Sequence, residues 1–127
     1  MRLLIDTPVL VWAVSRPEHL GAPARAALES PDNTVLVSAA SAWEIAIKRA
    51  LGRLTFPLEI FDRVLDEAGF EHLPILAAHA IEAGALPRHH ADPFDRLLIA
   101  QARVEGLTLV TDDAACAAYD VRIFRRA

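Results

Sequence analysis

The sequence predicts an α/β protein whose mostly parallel central sheet is covered by helices on both faces, a three-layer α/β/α arrangement. Three observations carry that expectation. Short continuous apolar runs, Leu3-Leu4-Ile5, Val35-Leu36-Val37 and Leu107 to Val110, read as strands buried on both faces. The first two hand over directly to helix-start signals, Thr7-Pro8 and Ser38. Strands that alternate with helices need right-handed crossovers, which makes neighbouring strands parallel. At 127 residues the chain has the length of one domain, spanning 1–127.

Taken in order, Leu3 to Ile5 is the first strand. Thr7 reads as an N-cap and Pro8 as the first helical residue of a helix through Val14. An Ala-rich helix from about Ala22 to Ser30 ends at the turn-like Pro31-Asp32-Asn33. After Val35 to Val37, Ser38 caps a helix running to Leu51 and closed by Gly52. Pro57 opens an amphipathic segment to about Ala68, followed by a short strand from His72 to Ile75 and a helix from Leu76 to Ala85. Asp92 with Pro93 starts the helix through Arg96 to Val104, stopped by Gly106. Leu107 to Val110 is a strand ending at Thr111-Asp112-Asp113, and Val121 to Phe124 is a short edge strand.

A 54% hydrophobic composition with dispersed charge describes a packed core and excludes the disordered class. The formal charge of -4 excludes nucleic-acid binding by bulk electrostatics, so any such contact needs a local basic rim. Its candidates are Lys48, Arg49, Arg53, Arg88 and Arg96, with Arg125 and Arg126. Cys116 is alone, which excludes an internal disulfide and fits a reducing compartment. Asp6 interrupts the first apolar run too early for a signal segment, and no later run reaches membrane-spanning length, so the expectation is a soluble, cytoplasmic protein without a membrane partner.

The acidic residues carry the chemistry. Asp6 ends the first strand and Asp112-Asp113 ends a later one, at the carboxyl edge of the sheet where α/β proteins bind ligands. Helices return antiparallel, so Glu44, Asp92 and Asp95, early in theirs, arrive at the same rim. Each has a sufficient structural role when taken singly. Asp92 is an N-cap, Asp95 complements a helix dipole, Ser41 with Glu44 matches a capping box, and Asp6, Asp112 or Asp113 can cap helices. Together they repel: two carboxylates about 4 Å apart cost about 4 kcal/mol at an effective dielectric near 20. Asp95 also shares the buried stripe of Ile99 and Ala102, and no Lys or Arg lies in the strand ends to neutralise it. A hard cation, Mg²⁺ or Mn²⁺, held by carboxylates and water is the simplest partner, and phosphodiester hydrolysis the reaction it serves. His89 and His90 beside Arg88 suit contact with RNA phosphates or a transition metal, but a solvated loop is the better reading than a zinc site because no Cys or spaced His completes one; Trp12 and Trp43 suit base stacking, but apolar helical stripes make them core or interface residues.

The segments Leu3 to Thr7, Ser38 to Lys48, His90 to Ala102 and Leu109 to Asp113, in that order, resemble PIN-domain ribonucleases, and within them the VapC-type toxins of prokaryotic toxin-antitoxin pairs. The resemblance spans nearly the whole chain, and Asp92-Pro93-Phe94-Asp95 through Ala102 is its most specific part. It implies that Asp6, Glu44, Asp95 and Asp113 form the catalytic metal site, with Asp112 the less fitting alternative for the fourth acid and Asp92 secondary. It further implies Mg²⁺ or Mn²⁺, endonucleolytic cleavage of RNA, a homodimer, and a cognate antitoxin that blocks the site. Pro8 departs from the polar residue that relatives commonly carry after Asp-Thr, leaving Thr7 as the donor beside Asp6.

Two other enzyme classes place acids similarly. A haloacid-dehalogenase-like phosphatase needs a second Asp where Pro8 stands, and a receiver domain needs a Lys that Val110 to Asp113 lacks. The alternative from another functional class is a non-catalytic PIN-like module that binds RNA or protein, and metal binding near Asp6 and Asp95 discriminates the two.

Overall fold

The computed structural model describes residues 1–126. Five strands, β1 (Arg2–Ile5), β2 (Thr34–Ser38), β3 (Phe70–Leu73), β4 (Thr108–Val110) and β5 (Arg122–Phe124), alternate with six helices, α1 (Thr7–Ser15), α2 (Ala22–Glu29), α3 (Ala39–Ala50), α4 (Phe61–Ala68), α5 (Ala77–Ala85) and α6 (Pro93–Glu105). The strand order is β3-β2-β1-β4-β5, and all four pairings are parallel. Where a mostly parallel sheet was expected, the described sheet is wholly so. Among the described residues no helix is long and apolar enough to cross a membrane.

Side-chain alternation along β1 divides the core into two layers. Leu3 and Ile5 point into a cluster with Val9, Leu10, Leu28, Ile45, Leu65 and Phe70, on the face covered by α1, α2 and α4. Leu4 points the other way, to Leu86, Leu98, Ile99 and Leu109, beneath α5 and α6. All three β1 residues are fully buried, which is why this strand reads as an unbroken apolar run.

Several boundaries differ by a residue or more from the sequence reading, and two of them have a clear physical cause. The N-cap of α1 is Asp6, whose carboxylate accepts from the Val9 backbone N–H, and Thr7 is already helical. Pro8 therefore sits one residue further into the first turn. β3 covers Phe70–Leu73 rather than His72 to Ile75, because Gly69, in the left-handed conformation at φ 76°, ends α4 and feeds straight into the strand. Ser38 and Asp92 cap α3 and α6 as expected, and Gly106 stops α6 at φ 67°.

The sheet order puts a switch point at the centre. From β1 the chain steps to β2 and β3 on one side, then returns to β4 on the other. Diverging connections at such a point leave a crevice outside the carboxyl ends of the two central strands. Asp6 follows β1 and Thr111 to Asp113 follow β4, one on each side of it.

Candidate active site

Asp6 lies deepest. Its backbone N–H donates to Val110 across the switch point, and the residue is only 5% exposed. Burial pushes its carboxyl up to about 6, against the hydrogen bonds from Thr111 and the Val9 N–H, while the charges of Glu44 and Asp112 raise it further. Among the described residues no Lys, Arg or His pairs with it.

Asp95 sits one turn into α6, held there by Asp92, whose carboxylate accepts from the N–H groups of Phe94 at 2.8 Å and Asp95 at 3.3 Å. Burial pushes its carboxyl up to about 7; Asp92, Asp6 and Asp113 raise it and His90 opposes them. Asp95 therefore feels the charges of both Asp6 and Asp113 at the crevice.

Asp95, for which the strand ends offered no Lys or Arg, has an imidazole as its partner instead. His90, expected in a solvated loop, turns inward so that Nε2 lies 2.9 Å from Asp95 Oδ2 and 2.8 Å from Asp113 Oδ2. Its Nδ1 accepts from the Asp92 N–H at 3.2 Å, which puts the ring proton on Nε2 between the two carboxylates. Burial works against the charged imidazole, but the hydrogen bond to Asp113 and the charges of Asp95 and Asp113 hold its pKa above the ordinary value. In return, bonds from the Ala115 N–H and from His90 overcome burial and keep Asp113 below the usual carboxylate range.

The other acids have partners as well. Glu44, 7% exposed, accepts from Thr7 Oγ1 at 2.6 Å and from Lys48 Nζ at 2.8 Å. Ser41, read as half of a capping box with Glu44, instead lies 3.0 Å from Thr7 Oγ1, and the Thr7 hydroxyl serves Glu44 rather than Asp6. Asp112 turns away to Arg126, accepting from its backbone N–H at 2.7 Å and its Nε at 2.6 Å. The charges of Glu44 and Asp112 bear on Asp6, those of Asp92, Asp6 and Asp113 bear on Asp95, and Asp92 is at the same time the cap of α6.

Several rim cations prove to be structural. Arg96 points its guanidinium at the carbonyls of Ala83, Leu86, Pro87 and His90, clamping the loop that carries His90. Tyr119 completes the clamp: its hydroxyl donates to the Pro87 carbonyl at 2.7 Å and accepts from the His90 N–H at 2.9 Å. Arg49 pairs with Glu59, and Arg126 stacks over Trp12 at 4.6 Å. Arg53, Arg88 and Arg125 are exposed. Trp43, expected in a core or an interface, is 62% exposed and touches Phe94 edge-on. Thr111, which bonds to Asp6, and Tyr119, which holds the His90 loop, carried no sequence signal, and His90 itself was set aside as part of a solvated loop.

A hard divalent ion fits this donor set. Asp6, Asp95 and Asp113 offer oxygen only, and burial has left Asp6 with a carboxylate that lacks a cationic partner. Hard divalent ions need only one or two carboxylates and keep several waters.

A parallel sheet with acids grouped at its switch point defines a class that the comparisons then identify. Residues 3–121 match the PIN domain family, and the chain belongs to it. Solved structures share the fold: a VapBC2 complex from Rickettsia felis bound to a DNA fragment from its promoter (17% identity, all of both chains, TM-score 0.74), a DNA-bound VapBC from Salmonella typhimurium (18%, 100% of this chain and 99% of that one, 0.70), and a toxin-antitoxin complex from Klebsiella pneumoniae (20%, 98% of each, 0.67). At these identities the likeness is one of fold. No curated protein matches the chain.

Proposed function

We propose that this protein is a Mg²⁺- or Mn²⁺-dependent endoribonuclease, the VapC-type toxin of a toxin-antitoxin pair. The observation that carries the reading is Asp6, a buried carboxylate with no cationic partner, facing Asp95 and Asp113 across the switch point of a PIN fold. Asp6 and Asp95 are the principal ligands, and Glu44 and Asp113 support them by holding waters or substrate. Asp112 is the poorer candidate because Arg126 engages both of its oxygens. A divalent ion in this setting supplies Lewis acidity toward a phosphodiester and a water that ionises near neutral pH.

The chain's own residues prepare that chemistry. Asp92 fixes the first turn of α6 and so aims Asp95, while Thr7 and Lys48 orient Glu44 from two sides. Exposed Arg53, Arg88 and Arg125 remain to meet the RNA backbone, which suits a chain with net negative charge. Trp43 and Ile47 on α3, with Leu51 at its C-cap, follow at i, i+4 and i+8 as an exposed apolar stripe suited to protein contact, and support a homodimer and a cognate antitoxin as partners. The structural neighbours that are themselves toxin-antitoxin complexes point the same way.

The test is RNA cleavage by purified, antitoxin-free protein. Cleavage with Mg²⁺ that stops with a chelator and in Asp6→Asn and Asp95→Asn supports the reading. Activity that persists through chelator or through both substitutions overturns it, and Mn²⁺ binding without cleavage of any RNA favours the non-catalytic module.

A further inference from the structure

Beside Asp113 lies a second donor set of different character. His90, Asp113 and Cys116 each bring one ligand atom to a space where all of these atoms lie within 4.8 Å of one another. We propose that His90, Asp113 and Cys116 form a binding site for a borderline transition-metal ion, Zn²⁺ or Co²⁺, that shares Asp113 with the carboxylate site. Imidazole nitrogen, thiolate sulfur and one carboxylate oxygen are the ligands that Zn²⁺ and Co²⁺ favour over Mg²⁺.

The three residues are placed by separate, rigid devices. Asp113 caps the 3-10 turn Ala114–Ala118 by accepting from the Ala115 N–H, and the Cys116 N–H donates back to the Asp113 carbonyl at 3.1 Å. One turn therefore carries both the oxygen and the sulfur. Cys116 is 1% exposed, and its thiol feels Asp95, Asp113 and Asp6. His90 approaches from the opposite side on the loop clamped by Arg96 and Tyr119, already 2.8 Å from Asp113. Ligand atoms around tetrahedral Zn²⁺ stand roughly 3.3–3.7 Å apart, so the site closes with shifts of about 1 Å. A water completes four ligands. A cleft of about 320 Å³, lined by Gly84, Arg88, His90, Ala91 and Arg96, gives an ion access to the imidazole.

Binding has a definite proton balance. The thiol proton leaves to solvent as the metal-sulfur bond forms, a step that burial and the nearby carboxylates oppose by holding the thiol up at about 12 in the metal-free protein. The imidazole stays neutral: its proton moves from Nε2 to Nδ1, giving up the 3.2 Å bond from the Asp92 N–H. Occupancy draws Asp113 and His90 toward Cys116 and away from Asp95. Zn²⁺ is therefore an antagonist of Mg²⁺ at the neighbouring carboxylates, a consequence that rests on the proposed function, whereas the binding itself does not.

The experiment is a Co²⁺ titration of the metal-free, full-length protein followed by absorption spectroscopy. The expected result is a sulfur-to-cobalt charge-transfer band in the near ultraviolet with intense tetrahedral bands in the visible, all abolished by competing Zn²⁺. Cys116→Ala loses the charge-transfer band, His90→Ala loses the tetrahedral pattern, and Asp6→Asn keeps both. His90 lies in a loop, so its variant tests the site even where the buried Cys116 substitution impairs folding. Weak octahedral bands that are the same in wild type, Cys116→Ala and His90→Ala overturn the proposal, as does loss of the charge-transfer band in Asp6→Asn. Failure of RNA cleavage leaves these spectra unchanged and counts only against the nuclease reading.

Discussion

Replacing Asp6 with Asn should make the metal-free protein more stable at pH 8 while removing its activity. The Asp6 carboxyl stands at about 6 in the folded chain against an ordinary 3.8, a rise of about two units. At 1.36 kcal/mol per unit, carrying the ionised group in the fold costs about 3 kcal/mol. Asn keeps an oxygen for the Val9 N–H and caps helices nearly as well as Asp, though its neutral hydrogen bonds are weaker, so the net gain is about 2 kcal/mol. For a chain of this length that raises the melting temperature by roughly 8 °C. The sign with pH follows from linkage. Between about pH 4 and pH 6 the folded state holds more protons than the unfolded one, so wild-type stability falls as pH rises through that window and is flat above it. The advantage of Asp6→Asn should accordingly be near zero at pH 4 and full at pH 8. Thermal denaturation of both proteins in chelator across that range measures it. A variant less stable than wild type at pH 8 would refute the claim that Asp6 is an unneutralised buried charge.

Adding Mg²⁺ or Mn²⁺ should stabilise wild type by about 2.7 kcal/mol at a hundredfold excess over the dissociation constant, more at pH 8 than at pH 5, and should not stabilise Asp6→Asn; thermal shift reads this directly. Lys48→Met leaves the buried Glu44 carboxylate without its cation, so stability should fall by about 1–3 kcal/mol in urea denaturation while cleavage slows several-fold. Tyr119→Phe strips the His90 N–H of its acceptor and the Pro87 carbonyl of a donor, and should cost about 1–3 kcal/mol in urea denaturation. Gly69→Ala places a side chain at φ 76° and should cost about 1 kcal/mol by the same measurement.

The fold was legible where a local signal and a global requirement agreed. Leu3 to Ile5 and Val35 to Val37 are apolar on both faces because both faces are covered, and Asp92-Pro93 announces α6 because a cap and a fixed φ suit its first turn. β3 was misplaced because Phe70–Leu73 lies at an edge with only its first and last residues buried, so it carries no alternation, and Gly69 decides the boundary. The acids could be brought to one sheet edge by topology alone, since helix starts and strand ends coincide there. Their partners could not. Lys48 reaches Glu44 along one helix face, which the i, i+4 spacing allowed, but His90 reaches Asp95 and Asp113 only because Arg96 and Tyr119 fold its loop inward. Asp112 and Asp113 are adjacent in sequence and indistinguishable there. Arg126 and the turn at Ala114–Ala118 separate them, and both depend on long-range packing.

The most direct test of the central claim is a crystal structure of the antitoxin-free protein grown with Mn²⁺, using anomalous scattering to locate the ion. The account predicts a peak about 2.1 Å from carboxylate oxygens of Asp6 and Asp95, with Asp113 in contact directly or through water and His90 displaced from between Asp95 and Asp113. Ordered Asp6 and Asp95 with no peak between them at saturating Mn²⁺, or a peak remote from both, would contradict it.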